Sequence, residues 1–162
     1  METRIIVFED KYQNQIIELI LKIQNDEYNI DLGIEEQMDL MNIKSEYMSN
    51  GGNFWIFLDD ENKVIGTIAL KKLTDSVAVL KKFFVDSRFR GGTYGVGANL
   101  YEILFFYAKK SGFKHIILDT PAVATRSHNF YRKVGFRLIE KENLPVEYSY
   151  PDRNSLLFIL DI

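Results

Sequence analysis

Phe83-Phe84-Val85-Asp86-Ser87-Arg88-Phe89-Arg90-Gly91-Gly92-Thr93-Tyr94-Gly95-Val96-Gly97-Ala98 runs from an apolar strand into a basic, glycine-rich turn that opens a helix. Past the turn, Val96, Leu100, Ile103, Leu104 and Tyr107 recur at the spacing of one buried helix face. That helix is predicted to reach about Lys110, where Ser111-Gly112 supplies a stop signal. A glycine-rich strand-to-helix turn suits a phosphate or pyrophosphate. Glycines let backbone amides approach a ligand closely, and a helix start carries partial positive charge. Arg88 and Arg90 can add charge-assisted bonds to the same anion. The same letters also fit a structural turn that needs positive φ. Two better-known phosphate loops do not fit. Ala98-Asn99 follows Gly97 where a Walker loop has Lys and then Ser or Thr, and Leu100 stands where the dinucleotide fingerprint has its third glycine or alanine.

Upstream of the turn, Phe54 to Leu58, Val64 to Leu73 and Val77 to Val85 are strand-like, parted by the clusters Asp59-Asp60-Glu61-Asn62 and Thr74-Asp75-Ser76. Three consecutive strands imply an antiparallel sheet. Nearer the start, Ile5 to Phe8 is a short strand, and a helix follows with Ile16, Leu19, Ile20 and Ile23 on one face, ending near Asn25-Asp26. Tyr28 to Gly33 reads as a loop. A second helix from about Glu35 to Met48 is expected to carry Met38, Met41 and Tyr47 inward until Asn50-Gly51-Gly52-Asn53 stops it. Downstream, Ile116-Ile117-Leu118 reads as a buried central strand and Thr125 to Val134 as a last helix ended by Gly135. Phe136 to Glu140 and Leu156 to Asp161 are two further strands joined by a polar-aromatic loop. This order predicts a mixed α/β sandwich forming a single domain over residues 1–162.

Composition narrows the function. The 162 residues suffice for one well-buried core, and 46% hydrophobic with 14% aromatic residues argues against disorder. A net charge of -3 gives no electrostatic footprint for nucleic acid or an anionic membrane, so neither is expected as a partner. The absence of cysteine excludes disulfides, thiolate metal sites and a cysteine nucleophile, and with only 2 histidines no metal site is expected. Ile5 to Phe8 is too short for a signal peptide and no stretch is long enough to span a bilayer, so the expected setting is cytoplasmic.

The element order, the glycine turn and the segment Asn129-Phe130-Tyr131-Arg132-Lys133-Val134-Gly135-Phe136 together resemble the GNAT superfamily of N-acetyltransferases, whose Phe-Tyr-x-x-x-Gly-Phe signature that segment is similar to. The resemblance spans nearly the whole chain and is strongest from Leu80 to Phe136. It implies a GNAT-like fold: a central, mostly antiparallel mixed sheet of about six to seven strands, flanked by four helices and splayed between the fourth and fifth strands. It also implies acetyl-CoA as cosubstrate. Carried over, Phe83, Phe84 and Val85 pair with the pantetheine arm much as an added strand would. The amides of Arg90, Gly91, Gly92, Thr93, Tyr94, Gly95, Val96, Gly97 and Ala98 hold the pyrophosphate, with Gly95 and Gly97 giving the close approach. The turn departs from the family's usual Arg-Gly-x-Gly-x-Gly, because Gly92-Thr93-Tyr94 makes it two residues longer; which amides touch phosphate therefore stays open.

Acetyl transfer from a thioester to an amine needs a neutral amine, a donor for the oxyanion and an acid near the leaving thiolate. The resemblance places the oxyanion donor on a backbone amide near Phe84 and Val85. Tyr131 matches the family tyrosine that donates to the departing sulfur, and a phenol with an ordinary pKa near ~10 suits that leaving group. Phe130 and Tyr131 read alternatively as apolar anchors of a short helix. Family members often carry a glutamate where Val79 and Leu80 stand, so no general base is assigned; a carboxylate such as Asp119, acting through water, is the alternative. His128 reads mainly as a solvated helix residue and His115 as structural. The family's polar residue before the last helix falls on Ala124, with Thr125 or Ser127 as replacements. The segments Tyr28 to Met48 and Glu142 to Arg153 are expected to flank the acceptor cleft. There Tyr28, Asp31, Glu35, Glu36, Tyr148, Tyr150 and Asp152 suit a cationic amine, or are simply solvated surface.

The resulting expectation is an acetyl-CoA-dependent N-acetyltransferase acting on a primary amine of a small molecule or peptide by direct attack in a ternary complex, since no residue suggests a covalent acetyl-enzyme. A non-catalytic acyl-CoA-binding or sensing module and a protein-interaction domain are the alternatives. The apolar ending from Leu156 to Ile162 allows a homodimer.

Overall fold

The meander expected before the glycine turn forms the middle of a seven-stranded sheet in the computed structural model, which describes residues 4–151 and 154–162. Asp152 and Arg153, expected beside the acceptor cleft, lie outside the described residues. The strands are β1 (Ile5–Val7), β2 (Asn53–Leu58), β3 (Val64–Lys72), β4 (Val77–Val85), β5 (His115–Pro121), β6 (Arg137–Leu138) and β7 (Ser155–Asp161). They lie in the order β1-β2-β3-β4-β5-β7-β6, and every pairing is antiparallel except β4 with β5.

Strand β2 is buried on both faces, and its period-2 alternation divides the core in two. Phe54, Ile56 and Leu58 face helix α1 (Gln13–Lys22), meeting Ile16, Ile20 and Tyr47. Trp55 and Phe57 face helix α2 (Val96–Lys110) and helix α3 (Thr125–Lys133), with Leu100, Leu104 and Tyr131 in the same cluster. Phe54 and Phe57 are sealed from solvent at 0% and 1% exposure, each worth about 1.5–3 kcal/mol by burial. The lone tryptophan, Trp55, meets the ring of Tyr107 edge-on at 5.3 Å, and the Tyr107 hydroxyl donates to the carbonyls of Gly51 and Gly52. Among the described residues no helix is long and apolar enough to cross a membrane.

The second expected helix forms as three short helical turns, at Ile34–Glu36, Met38–Met41 and Lys44–Met48. Gln37 and Asn42 leave the helical region (φ -139°, ψ 51° and φ -136°, ψ 43°), and each break resets the phase of the buried face. As a result Met38 and Met41 point outward, 53% and 45% exposed, contrary to the expectation from periodicity, while Gln37, Leu40 and Tyr47 are buried.

Two features open the sheet. Strands β4 and β5 pair only from Val77↔His115 to Val79↔Ile117 and then part. Just beyond, β4 carries a bulge: Thr67 pairs with Phe84 and Ala69 with Lys81, so one residue of β4 is extra. Lys82 takes it up with φ +53°, a conformation that costs a non-glycine residue on the order of 1–3 kcal/mol, and the Thr67 hydroxyl donates to the Lys82 carbonyl at 2.6 Å. Helix α2 then packs tightly against β3 at Gly66, where a Cβ would lie 2.8 Å from Val96 Cγ1 and 2.9 Å from Leu100 Cδ1. Gly66→Ala should therefore destabilise the fold by about 1–3 kcal/mol through forced separation of α2 from the sheet, measurable by urea unfolding.

Candidate active site

Where β4 leaves β5, the edge of Phe83, Phe84 and Val85 looks into a cavity of about 320 Å³ that also touches Arg90, Gly91, Gly92, Gly95, Gly97 and Ala98. Gly95 precedes α2 with φ +65°, a left-handed position that side chains resist. Its amide closes the turn on the Gly91 carbonyl (3.3 Å), and its carbonyl accepts the Asn99 amide (3.0 Å). Because Asn99 makes that first helical bond, the amides of Val96, Gly97 and Ala98 are left without an intrahelical acceptor. This is a cradle for an anion built from backbone. Val96 turns its side chain into the core (1% exposed), and Tyr94 lies outside, packed edge-on against Phe89.

The two arginines expected at the anion are engaged within the protein. Arg90 donates to the Val85 carbonyl through Nε (2.9 Å) and pairs with Glu27 at 2.5 Å, tying the helical turn Ile23–Glu27 that follows α1 to the glycine turn. Arg88 is exposed and chelates Asp86 through Nε and one terminal nitrogen. Besides Arg90 and Tyr28, the cavity is lined from α3 by Arg126, Ser127 and Lys133, with Phe130 between them. The spacing of 126, 130 and 133 on one helix face is the sequence signal that could have found them.

Tyr131 is 5% exposed, its ring set among Phe83, Phe136 and Phe158. It lines a small cavity of about 90 Å³ together with Phe84, Lys82, Asp119 and Ser127. Burial, with lesser contributions from Tyr28 and Asp119, pushes its hydroxyl well above the ordinary phenol value, so it stays a proton donor at neutral pH. His128 is also buried, at 5% exposure, and its Nε2–H donates to the Pro121 carbonyl at 2.9 Å. The expectation of a solvated His128 is thereby overturned: positions 128 and 131 share the inner face of a short helix, and the imidazole is used to hold that helix to the end of β5.

A second cleft of about 510 Å³ lies on the α1 side, bounded by Tyr28, Gln37, Asp39, Lys82, Phe84 and Asp119. Its floor is a buried polar chain. Gln24 and Gln37 exchange amide bonds of 3.1 and 2.7 Å, Lys82 Nζ donates to Gln37 Oε1 at 2.7 Å and lies 3.4 Å from Asp39 Oδ2, and Tyr47 donates to the same carboxylate oxygen. Burial works to raise the Asp39 pKa, but the Lys82 ammonium and the Tyr47 hydroxyl hold it below its ordinary 3.8. Burial lowers Lys82 in spite of Asp39. On the opposite wall Tyr148 donates to Asp119, and burial and that carboxylate push the phenol well up. Tyr28 and Phe84 line both clefts and the small cavity between them.

A family model described as Acetyltransferase (GNAT) family matches residues 17–136, which takes in the bulge, the glycine turn and Tyr131. The chain belongs to this family. It is 38% identical to an acetyltransferase from Streptococcus agalactiae 2603 of known crystal structure, over 99% of this chain and 98% of that one, with a TM-score of 0.95. At 16% identity it shares the fold of a PaiA N-acetyltransferase from Thermoplasma acidophilum solved in complex with coenzyme A, covering 100% of both chains with a TM-score of 0.76. It is also 31% identical to "Probable N-acetyltransferase 14" of Xenopus tropicalis over 101 residues, 62% of this chain and 48% of that protein. The match takes in about half or less of the length of the curated relatives.

Within the GNAT frame the splay lies between the fourth and fifth strands, as the resemblance implied. Of the residues expected around the acceptor, Tyr28 and Glu36 line the second cleft, together with Asp119, the carboxylate considered as an alternative base; Tyr148 reaches the cleft through Asp119, with Tyr150 stacked on its ring at 5.5 Å. Asp31 and Glu35 stay on the surface. The buried chain of Gln24, Gln37, Asp39 and Lys82 was not anticipated, because its members are scattered in sequence and meet only through the bulge and the broken second helix. Asp39→Asn would remove the main counter-charge of the Lys82 ammonium, 11% exposed, leaving only the weaker pull of Asp119, and should cost about 2–3 kcal/mol at pH 7. Since the folded Asp39 pKa lies below the unfolded 3.8, its contribution is complete above that pH and disappears as pH falls through the folded value. Urea unfolding across pH 2–7 should show the gap between wild type and Asp39→Asn closing only in the acid range.

Proposed function

We propose that the chain is an acetyl-CoA-dependent N-acetyltransferase that acts on a primary amine by direct attack. The observation that carries this reading is the junction, where the cavity over the glycine turn and the cleft above Lys82 share Tyr28 and Phe84 and are joined by the small cavity that Tyr131 and Asp119 line. Acetyl-CoA, when bound, supplies the activated thioester carbonyl. The exposed edge of Phe83-Phe84-Val85 takes the pantetheine arm as a strand would, and the amides of Val96, Gly97 and Ala98 face the pyrophosphate with Arg126 and Lys133 adding charge.

The remaining roles fall to groups at the junction. A backbone amide near Phe84 stabilises the oxyanion. Tyr131, kept protonated by burial, donates to the leaving sulfur. Asp119, on β5 just past its parting from β4, accepts the proton of the attacking amine directly or through water, with Tyr148 holding one carboxylate oxygen. Its position weighs against the sensing-module reading, which rested on the lack of a base. The single-domain reading of all 162 residues is supported by one sheet drawing strands from Ile5 to Asp161, and a cytoplasmic setting by a chain without cysteine.

Calorimetric titration with acetyl-CoA should give saturable binding to the wild type. A folded Gly95→Val variant, strained at φ +65°, should lose it. Tyr131→Phe and Asp119→Asn should retain binding within about twofold while turnover, read by thiol release without protein background, falls by about 10²–10⁴. No binding by the wild type at millimolar acetyl-CoA would overturn the proposal.

A further inference from the structure

The acceptor cleft holds an ammonium that no side chain of its walls bonds. Five charged residues line it, and four of them are engaged within the protein. Glu36 accepts the Gly33 amide at 2.6 Å, Asp39 accepts from Tyr47 beside Lys82, Asp119 accepts from Tyr148, and Lys82 donates to Gln37. Lys81 is the fifth. Among the described residues its side chain makes no hydrogen bond or ion pair, although its charge helps hold the Asp39 carboxyl down, and it lines both the acceptor cleft and the junction cavity. The bulge explains its placement. The extra residue at Lys82 puts two consecutive lysines on the walls of one cleft, where an unbroken strand would have turned them to opposite faces.

We propose that Lys81 binds a carboxylate of the acceptor, so that the acceptor is an amine that also carries a carboxylate; this rests on the transferase reading above. The amine lies toward Asp119 and the carboxylate toward Lys81, with Tyr28, Ile30, Leu32 and Phe84 left to hold the apolar body. One unpaired ammonium matches one carboxylate. A phosphate dianion would bring a second negative charge beside Asp39 and Asp119, and a polyamine would press a second ammonium against Lys81 and Lys82. The cationic amine expected from the acids and aromatics around this cleft is therefore replaced by a zwitterion, because the acids that line it, Glu36, Asp39 and Asp119, are already engaged, while Asp31 and Glu35 stay on the surface.

The test measures thiol release from acetyl-CoA with matched amines that differ only in a carboxylate, such as leucine against isoamylamine and 6-aminohexanoate against pentylamine, with spermidine and phosphoethanolamine alongside. At least one carboxylate-bearing member should exceed its partner by about tenfold or more in kcat/KM. Lys81→Ala should bring that ratio close to one, mainly through KM, and Lys81→Arg should restore part of it, while acetyl-CoA affinity by calorimetry stays unchanged in both. The proposal is overturned if spermidine, phosphoethanolamine or the carboxylate-free amines are preferred, or if Lys81→Ala keeps the ratio. It is equally overturned if acetyl-CoA binds and no carboxylate-bearing amine reacts. Failure of the wild type to bind acetyl-CoA is a different result and removes the transferase reading itself.

Discussion

The hydrogen bond from Thr67 to the Lys82 carbonyl fixes the one place where the central strand is allowed to be irregular. A strand paired on both edges along its whole length would bury its amides and carbonyls in the ladder and offer nothing to a ligand. Here β4 keeps its antiparallel partner β3 throughout, so it does not melt, but it gives up β5 after Val79. The positive φ at Lys82 is tolerated because the neighbouring pairs on either side over-determine it. The bulge also decides which side chains look which way. Phe83 and Val85 stay with the α2 face, Phe84 goes to the α1 face, and the two clefts share Phe84 as a common wall.

Charge in the molecule is arranged by the same constraint. Lys82 is forced toward the interior and is held there by Asp39, Gln37 and, through Gln37, by Gln24 in the helical turn just past α1. Such a chain is stable only when each member is satisfied, since a buried ammonium or carboxylate without a partner is heavily penalised. The chain therefore specifies how the helical turns at 34–41 sit over the sheet. It also links the floor of the second cleft to the element that carries Tyr28 over both clefts.

Much of this was legible in the sequence where the signal is local. The alternation of Phe54 to Leu58, the helix from Val96 to Lys110 and the glycine turn were each readable because period, cap and turn chemistry agree over a short window. The region from Glu35 to Met48 misled because Met38 and Met41 have helical spacing, whereas the backbone breaks at Gln37 and Asn42 follow from the demand that Gln37 and Asp39 reach Lys82. His128 misled for a related reason: a polar residue on a short polar helix looks solvated until the carbonyl of Pro121, seven residues earlier, is seen to accept from it alongside the Ala124 amide. Arg88 and Arg90 were expected at an anion, but their nearest anions are the protein's own Asp86 and Glu27. For Gln37, Asp39 and Arg90 the missing information is a partner distant in sequence; for Arg88 and His128 it is how a nearby segment folds back.

The edge-on contact of Trp55 with Tyr107 gives the protein a built-in optical probe. A single indole at 4% exposure, touching a phenol that is itself fastened to Gly51 and Gly52, emits from one environment only. Its fluorescence reports on the seating of α2 against the sheet and is blind to the opposite core, where α1 and Tyr47 pack. Comparison of that emission with the far-ultraviolet dichroism of the whole chain therefore distinguishes loosening of one layer from collapse of both.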